Sequence, residues 1–486
     1  MKIKQLLTTI LFIAIIGCDQ KPIATAVQTQ QSPSVKTQKK DNVKFSLDEL
    51  EHRTFQWFWD LIDKNYQVPD RHPQRDFSSI AATGFGLTVY CIGSERGYVT
   101  RAQAAERVLK TLQFLWKAPQ GSGVAGCSGF HGYFYHFLDH ERGLRYRDVE
   151  LSTIDTGLLM AGVLSVMSYF DKNDPLENQV RDVADKLFRR VEWSWFLNDK
   201  KNLSMGFHPE KIEKGINPFL DNEWIGYNEA MVLLIMAIGS PTHPIPADCW
   251  ERWCAPYKWA TFERQEHVNF EPLFGHQYSQ MYIDFKGIQD NYMAKHGIDY
   301  FENSRRATLA QRNYAIKNPN GFKNYSANEW GLTACNGPRD TTISINGKAR
   351  KFFEYGARGA ASIRIVDDGT IAPTAVGGSI PFAPEVCIPA LENMWNKYYN
   401  TPLVTEYGFK DAYNPTYTFF SRNNVNPQIT EGVWIDRDYL GIDQGPIVIQ
   451  IENYRSQFVW KLMKKNPYIV AGLKKAGFKG GWLAQK

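Results

Sequence analysis

The chain has 486 residues, 43% hydrophobic and 22% charged, an ordinary globular balance that fits one large or two ordinary domains. The formal charge is only +5 and no long Lys/Arg run occurs, so a nucleic-acid footprint is not indicated. Aromatic residues are the outlier at 14%, with 14 Trp, 24 Tyr and 29 Phe, a content that suits a ring-stacking cleft or a large helical core.

At the amino terminus Lys2 and Lys4 precede an apolar run from Leu6 to Ile16 that ends in Gly17-Cys18. A positive start, a short apolar segment and a small residue at the cut describe a secretory leader. The ending resembles a bacterial lipobox. The expectation is a lipoprotein signal peptide over 1–17, lipidation at Cys18 and residence in the bacterial cell envelope, periplasmic or outer-membrane. Residues 18–43 are rich in Gln, Thr, Ser, Lys and Pro and read as a flexible tether. The folded part, 44–486, starts near Phe45. Cys91, Cys127, Cys249, Cys254, Cys335 and Cys387 are scattered, without a CxxC pair or a His at ligand spacing, so no metal is expected and pairing stays open.

From Phe45 onward the periodicity predicts helices at a Ser46-capped start, Ser79–Tyr90, Arg101–Trp116, Ser152–Phe170, Glu177–Trp195 and Glu229–Ile238. Further helices are predicted at Ala247–Cys254, Ser279–His296, Tyr300–Lys317, Pro384–Tyr399, Gly445–Lys464 and Pro467–Ala476. One hairpin is expected in Asp340–Tyr355. About a dozen helices with no βα alternation describe an all-α toroid of paired helices, an (α/α)6 barrel, with long loops that carry function.

The stretch DNEWIGYNEAMVLLIMA, Asp221–Ala237, places Glu229 at the mouth of a buried helix. Desolvation there suits a general acid, while an acidic residue in a first turn also serves as a cap, and the sequence leaves both open. Asp155 sits near the third position of the Ser152 helix, where a capping role competes with a catalytic one; Glu150, before that helix, is freer to face a cleft. His276 and Gln277 precede a helix in FEPLFGHQYSQMYID. Trp330 lies in a loop, Arg358 is able to bind hydroxyls or hold a carboxylate, and Asp367-Asp368-Gly369 is a turn. Asp411 stands in a Pro/Gly loop among aromatics, and Asp443 either caps the last large helix or supplies a second carboxylate. Walker A, dinucleotide, GxSxG and HExxH motifs are absent. Export, aromatics and loop carboxylates point to carbohydrate, and glycosidic hydrolysis needs two carboxyls.

The segments WIGYNEAMVL, FEPLFGHQYSQMYIDF, NEWGLTA, YGARGAA with DDGTIAPTAVGGSIPFAPE, YGFKDAYNP and YLGIDQGP resemble the glycoamylase-like domain, represented by the bacterial endo-β-1,2-glucanases of glycoside hydrolase family 144. The resemblance spans roughly Phe45 to Lys486. It implies an (α/α)6 barrel that cleaves β-1,2-glucan without a cofactor or metal and with inversion. It makes Glu229 the general-acid candidate and transfers the base to Asp411, with Asp443 second and Asp155 third. Glu150, Trp224, Tyr227, His276, Gln277, Trp330 and Arg358 are then substrate-binding candidates. The expected partners are a β-glucan polysaccharide or oligosaccharide and a membrane reached through the lipid anchor alone, with no nucleic acid; oligomeric state stays open, a monomer being expected. Two other readings stand beside this one: a glycan-binding surface lipoprotein without catalysis, and an (α/α)-barrel hydrolase of another β-glucan. A polysaccharide lyase on the same toroid fits less well, because the candidate loops carry carboxylates and few clustered bases.

Overall fold

The computed structural model describes residues 43–73, 76–345, 347–419, 428–430 and 432–484. The expected leader, Cys18 and the tether up to residue 42 lie outside the described residues. Sixteen α-helices occur among the described residues: α1 (Leu47–Asp60), α2 (Ile80–Glu95), α3 (Arg101–Lys117), α4 (Thr153–Tyr169), α5 (Pro175–Arg190), α6 (Glu210–Glu213), α7 (Met231–Gly239), α8 (Cys249–Cys254), α9 (Phe274–Tyr282), α10 (Asn291–His296), α11 (Tyr300–Lys317), α12 (Pro373–Gly377), α13 (Pro384–Tyr398), α14 (Gly441–Ser456), α15 (Phe458–Met463) and α16 (Pro467–Lys475).

Their starts follow local chemistry. Ser46, Ser79, Ser152, Asp174 and Asp299 each accept a backbone N–H from the first turn, and Thr100 with Gln103 forms a full capping box. Helices α2, α4 and α7 lack a polar face, and nearly every side chain on them is buried. Helix α5, by contrast, buries one stripe: Glu177, Val180, Ala184, Leu187 and Phe188. The buried helices touch in succession, α2 on α4, α4 on α7 and α7 on α9. Gln277 of α9 donates to the Ala375 carbonyl and the Ser379 hydroxyl of the α12 region, both at 2.8 Å, α12 packs on α14, and α14 returns to α2. Outside them, α3 packs on α5, α16 on α7, α1 on α2 and α14, and α13 on α12.

Two expected helices are split. Ile283 turns extended at the end of α9, Gly287 follows at φ +77°, and Asp290 caps a new helix, α10. Gln457 at φ +60° separates α14 from α15. The single expected hairpin, Thr341–Ile345 with Lys348–Phe352, is joined by many strands of two to four residues. Strands that short carry too few positions to show a period of two.

These strands cluster before the buried helices and position the site. Arg71–His72 pairs antiparallel with Tyr439–Leu440. Tyr133–Tyr135 and Gly206–Phe207 flank Leu151–Ser152. Ala334–Asn336 pairs with Tyr355–Ala357. The six described cysteines are free thiols.

Candidate active site

Glu229 lies two residues before α7, whose N-cap is Ala230 and lacks a side-chain cap. The capping role is filled by Ser279 of α9. Its Oγ accepts the Val232 N–H at 3.0 Å and donates to the Glu229 carbonyl at 2.7 Å. The Glu229 carboxyl is thereby released from the helix end. It is part-exposed, yet surrounding protein desolvates it enough to push its pKa up to about 7, with the Asp155 charge adding to the rise and its own backbone N–H opposing it. Solvent thus reaches this carboxyl although the surrounding protein desolvates it.

Asp411 and Asp443 form a second acidic centre. Asp411 Oδ2 accepts the Asn336 N–H at 2.7 Å, and the Asp411 N–H donates to the Asp438 carbonyl at 3.1 Å. Asp443 is not the N-cap of α14; Leu440 holds that place without a side-chain bond, and Asp443 occupies the first turn. The two buried carboxyls hydrogen-bond each other. Burial, and then their mutual repulsion, holds Asp411 well above the carboxylate range, while burial pushes Asp443 up to about 7. Two carboxyls in hydrogen-bond contact cannot both ionise cheaply, so the pair holds a shared proton near neutrality. Among the described residues no N–H or O–H of another residue is bonded to Asp411 Oδ1 or Asp443 Oδ2. Arg71, bonded through Nε to Asp70 at 2.8 Å, adds a positive charge beside both. Tyr278 of α9 lies within the field of Asp443, Glu229 and Asp411, so charges of both centres act on it.

Asp155 and Glu150 belong to a third cluster, around His136. Nδ1 of His136 meets Glu150 at 2.8 Å and Nε2 meets Asp155 at 3.5 Å. Burial alone would lower the imidazole pKa; Asp155 and Glu150 more than reverse that and lift it to about 10. The ring is therefore an imidazolium bracketed by two carboxylates. The three groups lie close enough to hold a metal ion, but a ligating imidazole is neutral, and this one spends both nitrogens on ion pairs. Ser152 caps α4 as expected, its Oγ accepting the Asp155 N–H at 3.2 Å, and it also donates to the Asp155 carboxylate at 2.5 Å.

The remaining sequence candidates are mostly interior, which corrects their expected exposure in a cleft. Trp224 donates its indole N–H to Thr153 Oγ1 at 2.7 Å and steadies the start of α4. Tyr227 and His276 meet at 3.2 Å inside a buried aromatic cluster that includes Tyr300. Gln277 is spent tying α9 to α12. Trp330 is fully buried. Arg358 clamps Asp368 with two bonds of 2.8 Å, which selects the carboxylate-holding role over hydroxyl binding. Loop residues beside aromatics look alike in sequence whether the loop folds inward or outward. Sequence reasoning missed His136, Asp70, Arg71, Tyr278 and Tyr355. Tyr278 and Tyr355 lie inside the segments that carry the resemblance but have no residue-level signal of a role there, and His136, Asp70 and Arg71 come together only through contacts between segments distant in sequence. A cavity of about 530 Å³ lined by Trp250, Cys254, Asp290 and Tyr292 shares no lining residue with these carboxyls. Its Asp290 is consumed by Trp250, Tyr300 and the Met293 N–H.

The Glycoamylase family model, described as "Putative glucoamylase", matches residues 221–467, just over half of the chain. The exo beta-1,2-glucooligosaccharide sophorohydrolase (non-reducing end) of Parabacteroides distasonis is 27% identical over 464 residues, covering 88% of this chain and 57% of that protein. The chain thus spans little more than half the length of that curated relative. The solved endo-beta-1,2-glucanase from Chitinophaga pinensis, in complex with sophorotriose and glucose, is 30% identical with a TM-score of 0.73, over 90% of this chain and 98% of that one. The solved beta-1,2-glucanase from Parabacteroides distasonis is 27% identical with a TM-score of 0.73, over 89% of this chain and 59% of that one. On this similarity the chain belongs to the glycoamylase-like family, glycoside hydrolase family 144.

Proposed function

We propose that this protein is an exported, lipid-anchored hydrolase that cleaves β-1,2-glucan to short oligosaccharides with inversion at the anomeric carbon. In this reading the successive helix contacts form an (α/α)6 barrel over residues 44–486, behind a leader (1–17) and a tether (18–43) whose Cys18 carries the acyl chains at the periplasmic or outer-membrane side of the envelope. The observation that carries the reading is Glu229, a desolvated yet reachable carboxyl with a pKa of about 7, whose charge and that of a proton-sharing aspartate pair both act on Tyr278. The names of the relatives, a beta-1,2-glucooligosaccharide sophorohydrolase and an endo-beta-1,2-glucanase, support the substrate class.

Glu229, protonated near neutrality, donates its proton to the glycosidic oxygen as the bond to the anomeric carbon breaks. Asp411, when the pair's shared proton passes to Asp443, takes a proton from water, and the resulting oxygen forms the new bond on the opposite face. Such carboxyls stand about 6.5–9.5 Å apart when one water is held directly. Asp443 shares the proton that Asp411 gains, and the His136 imidazolium keeps Glu150 and Asp155 ionised.

The test incubates protein lacking residues 1–43 with β-1,2-, β-1,3-, β-1,4- and β-1,6-glucans and an α-glucan, beside Glu229→Gln and Asp411→Asn. Short β-1,2-linked products from the wild type, cut at least ~100-fold in each variant, are the expected result. Cleavage of a different glucan would move the substrate. Binding without cleavage would turn the reading to a surface glycan-binding lipoprotein.

A further inference from the structure

Tyr355 is an aromatic side chain at the acidic pair that the protein leaves uncovered. It opens the strand Tyr355–Ala357, which runs antiparallel to Ala334–Asn336 with Tyr355 directly opposite Asn336. Asn336 is the residue whose backbone holds Asp411 at 2.7 Å and whose side-chain amide holds Asp436 at 2.8 Å. The register thus sets Tyr355 beside Asp411, and the phenol lies within the field of Asp443, Asp411 and Asp70 and in turn acts on Tyr278.

Its neighbour Tyr278 is spent, 5% exposed with its hydroxyl on the Ile442 carbonyl. Tyr355 is 55% exposed, and among the described residues it makes no ring contact and no side-chain hydrogen bond. An aromatic face held open beside carboxyls that are themselves buried matches a ligand with an apolar face and a hydroxylated edge, which is the shape of a pyranose.

We propose that Tyr355 is the sugar platform on the Asp411–Asp443 side. Its ring covers the C–H face of the glucosyl unit under attack, and its phenol donates to a hydroxyl of the same unit. The proposal rests on the hydrolase reading above and adds a substrate-contacting residue to it. Desolvation by the surrounding protein, although solvent reaches the ring, followed by the charges of Asp443 and Asp411, pushes the phenol above its usual pKa, so it remains a donor through the neutral range.

The test has two arms. Kinetics on β-1,2-glucan compare wild type, Tyr355→Phe, Tyr355→Ala and, as a control, Tyr454→Ala, which removes a 41% exposed ring of α14. Calorimetry titrates a β-1,2-linked glucooligosaccharide into Glu229→Gln with and without Tyr355→Ala. Tyr355→Ala is expected to raise KM and weaken binding about tenfold or more, the ratio set by ~1.4 kcal/mol. Tyr355→Phe is expected to hold KM near wild type while lowering kcat severalfold. Melting temperatures stay unchanged, because an uncontacted ring contributes little to the fold. Wild-type KM, kcat and affinity in Tyr355→Ala, on an enzyme that cleaves β-1,2-glucan, would overturn the platform alone. A wild type that neither cleaves nor binds any glucan would overturn the hydrolase reading, and the platform's substrate with it.

Discussion

Glu229 owes its chemistry to being unwanted as a cap. Ser279 satisfies the start of α7, so the carboxyl is free to stand desolvated with a pKa near 7 against an ordinary 4.5. That has a cost with a definite sign. As pH rises from 4.5 to 7 the unfolded chain releases this proton and the folded chain does not, so the group's contribution to stability is present below 4.5 and is lost through that window. Glu229→Gln is expected to melt above wild type at pH 8 and level with it at pH 4, while losing activity; thermal melts at the two pH values decide it. The aspartate pair makes a complementary prediction. Asp443→Asn removes the repelling partner, so the Asp411 pKa falls and the acid limb of the pH–rate profile moves to lower pH with activity retained. Asp411→Asn is expected to lose activity about 10²–10⁴-fold, and the reverse pattern would assign the base to Asp443. Glu229, Asp443 and Asp155 were legible as acids near loop–helix junctions, because a carboxylate before an apolar run is visible in one segment, whereas Asp411 stood out only as an acid in an aromatic loop singled out by the resemblance. The proton sharing was not, since it depends on a contact between two loops. His136 escaped notice for the same reason, as its carboxylates come from a different strand and helix start.

The helix pairs show which local signals survive packing. Caps at Ser46, Ser79, Thr100 and Ser152 were readable because a hydroxyl and the N–H it accepts lie within three residues. The breaks at Ile283 and Gln457 were not, because a helical hydrophobic pattern continues across each of them. The contact between α2 and α4 is tighter than hydropathy suggests. A Cβ on Gly162 would stand 2.0 Å from the Gly84 carbonyl oxygen, and one on Gly84 would stand 2.5 Å from that of Leu158. Both obstacles are backbone, which cannot rotate away. Gly162→Ala is therefore expected to destabilise the protein by about 3 kcal/mol, read as a lower chemical-unfolding midpoint. A neutral result would mean that the two helices separate more easily than their contact implies. Helix α4 begins at the residues that carry Asp155, so the same variant is expected to weaken activity before it unfolds the chain.

At the scale of the molecule, the toroidal reading came from counting alternations of helix and long loop, and the helix contacts agree with it in kind: buried helices touch in chain order and α14 returns to α2. The small sheets could not be counted in advance, since each is closed by residues far apart in sequence. One of these closures sets a schedule. Arg71–His72 pairs with Tyr439–Leu440, and the Gly441 N–H donates to the Asp70 carbonyl at 2.7 Å. The first carboxylate of the site is thus seated by nearly the last part of the domain to be made. A chain that ends between Glu229 and Tyr439 has its acid at Glu229 but neither the shared proton nor the strand that anchors Asp70. On the hydrolase reading, a chain shortened so that it lacks Tyr439–Asp443 is expected to be inert toward glucan, read as loss of cleavage in the product assay.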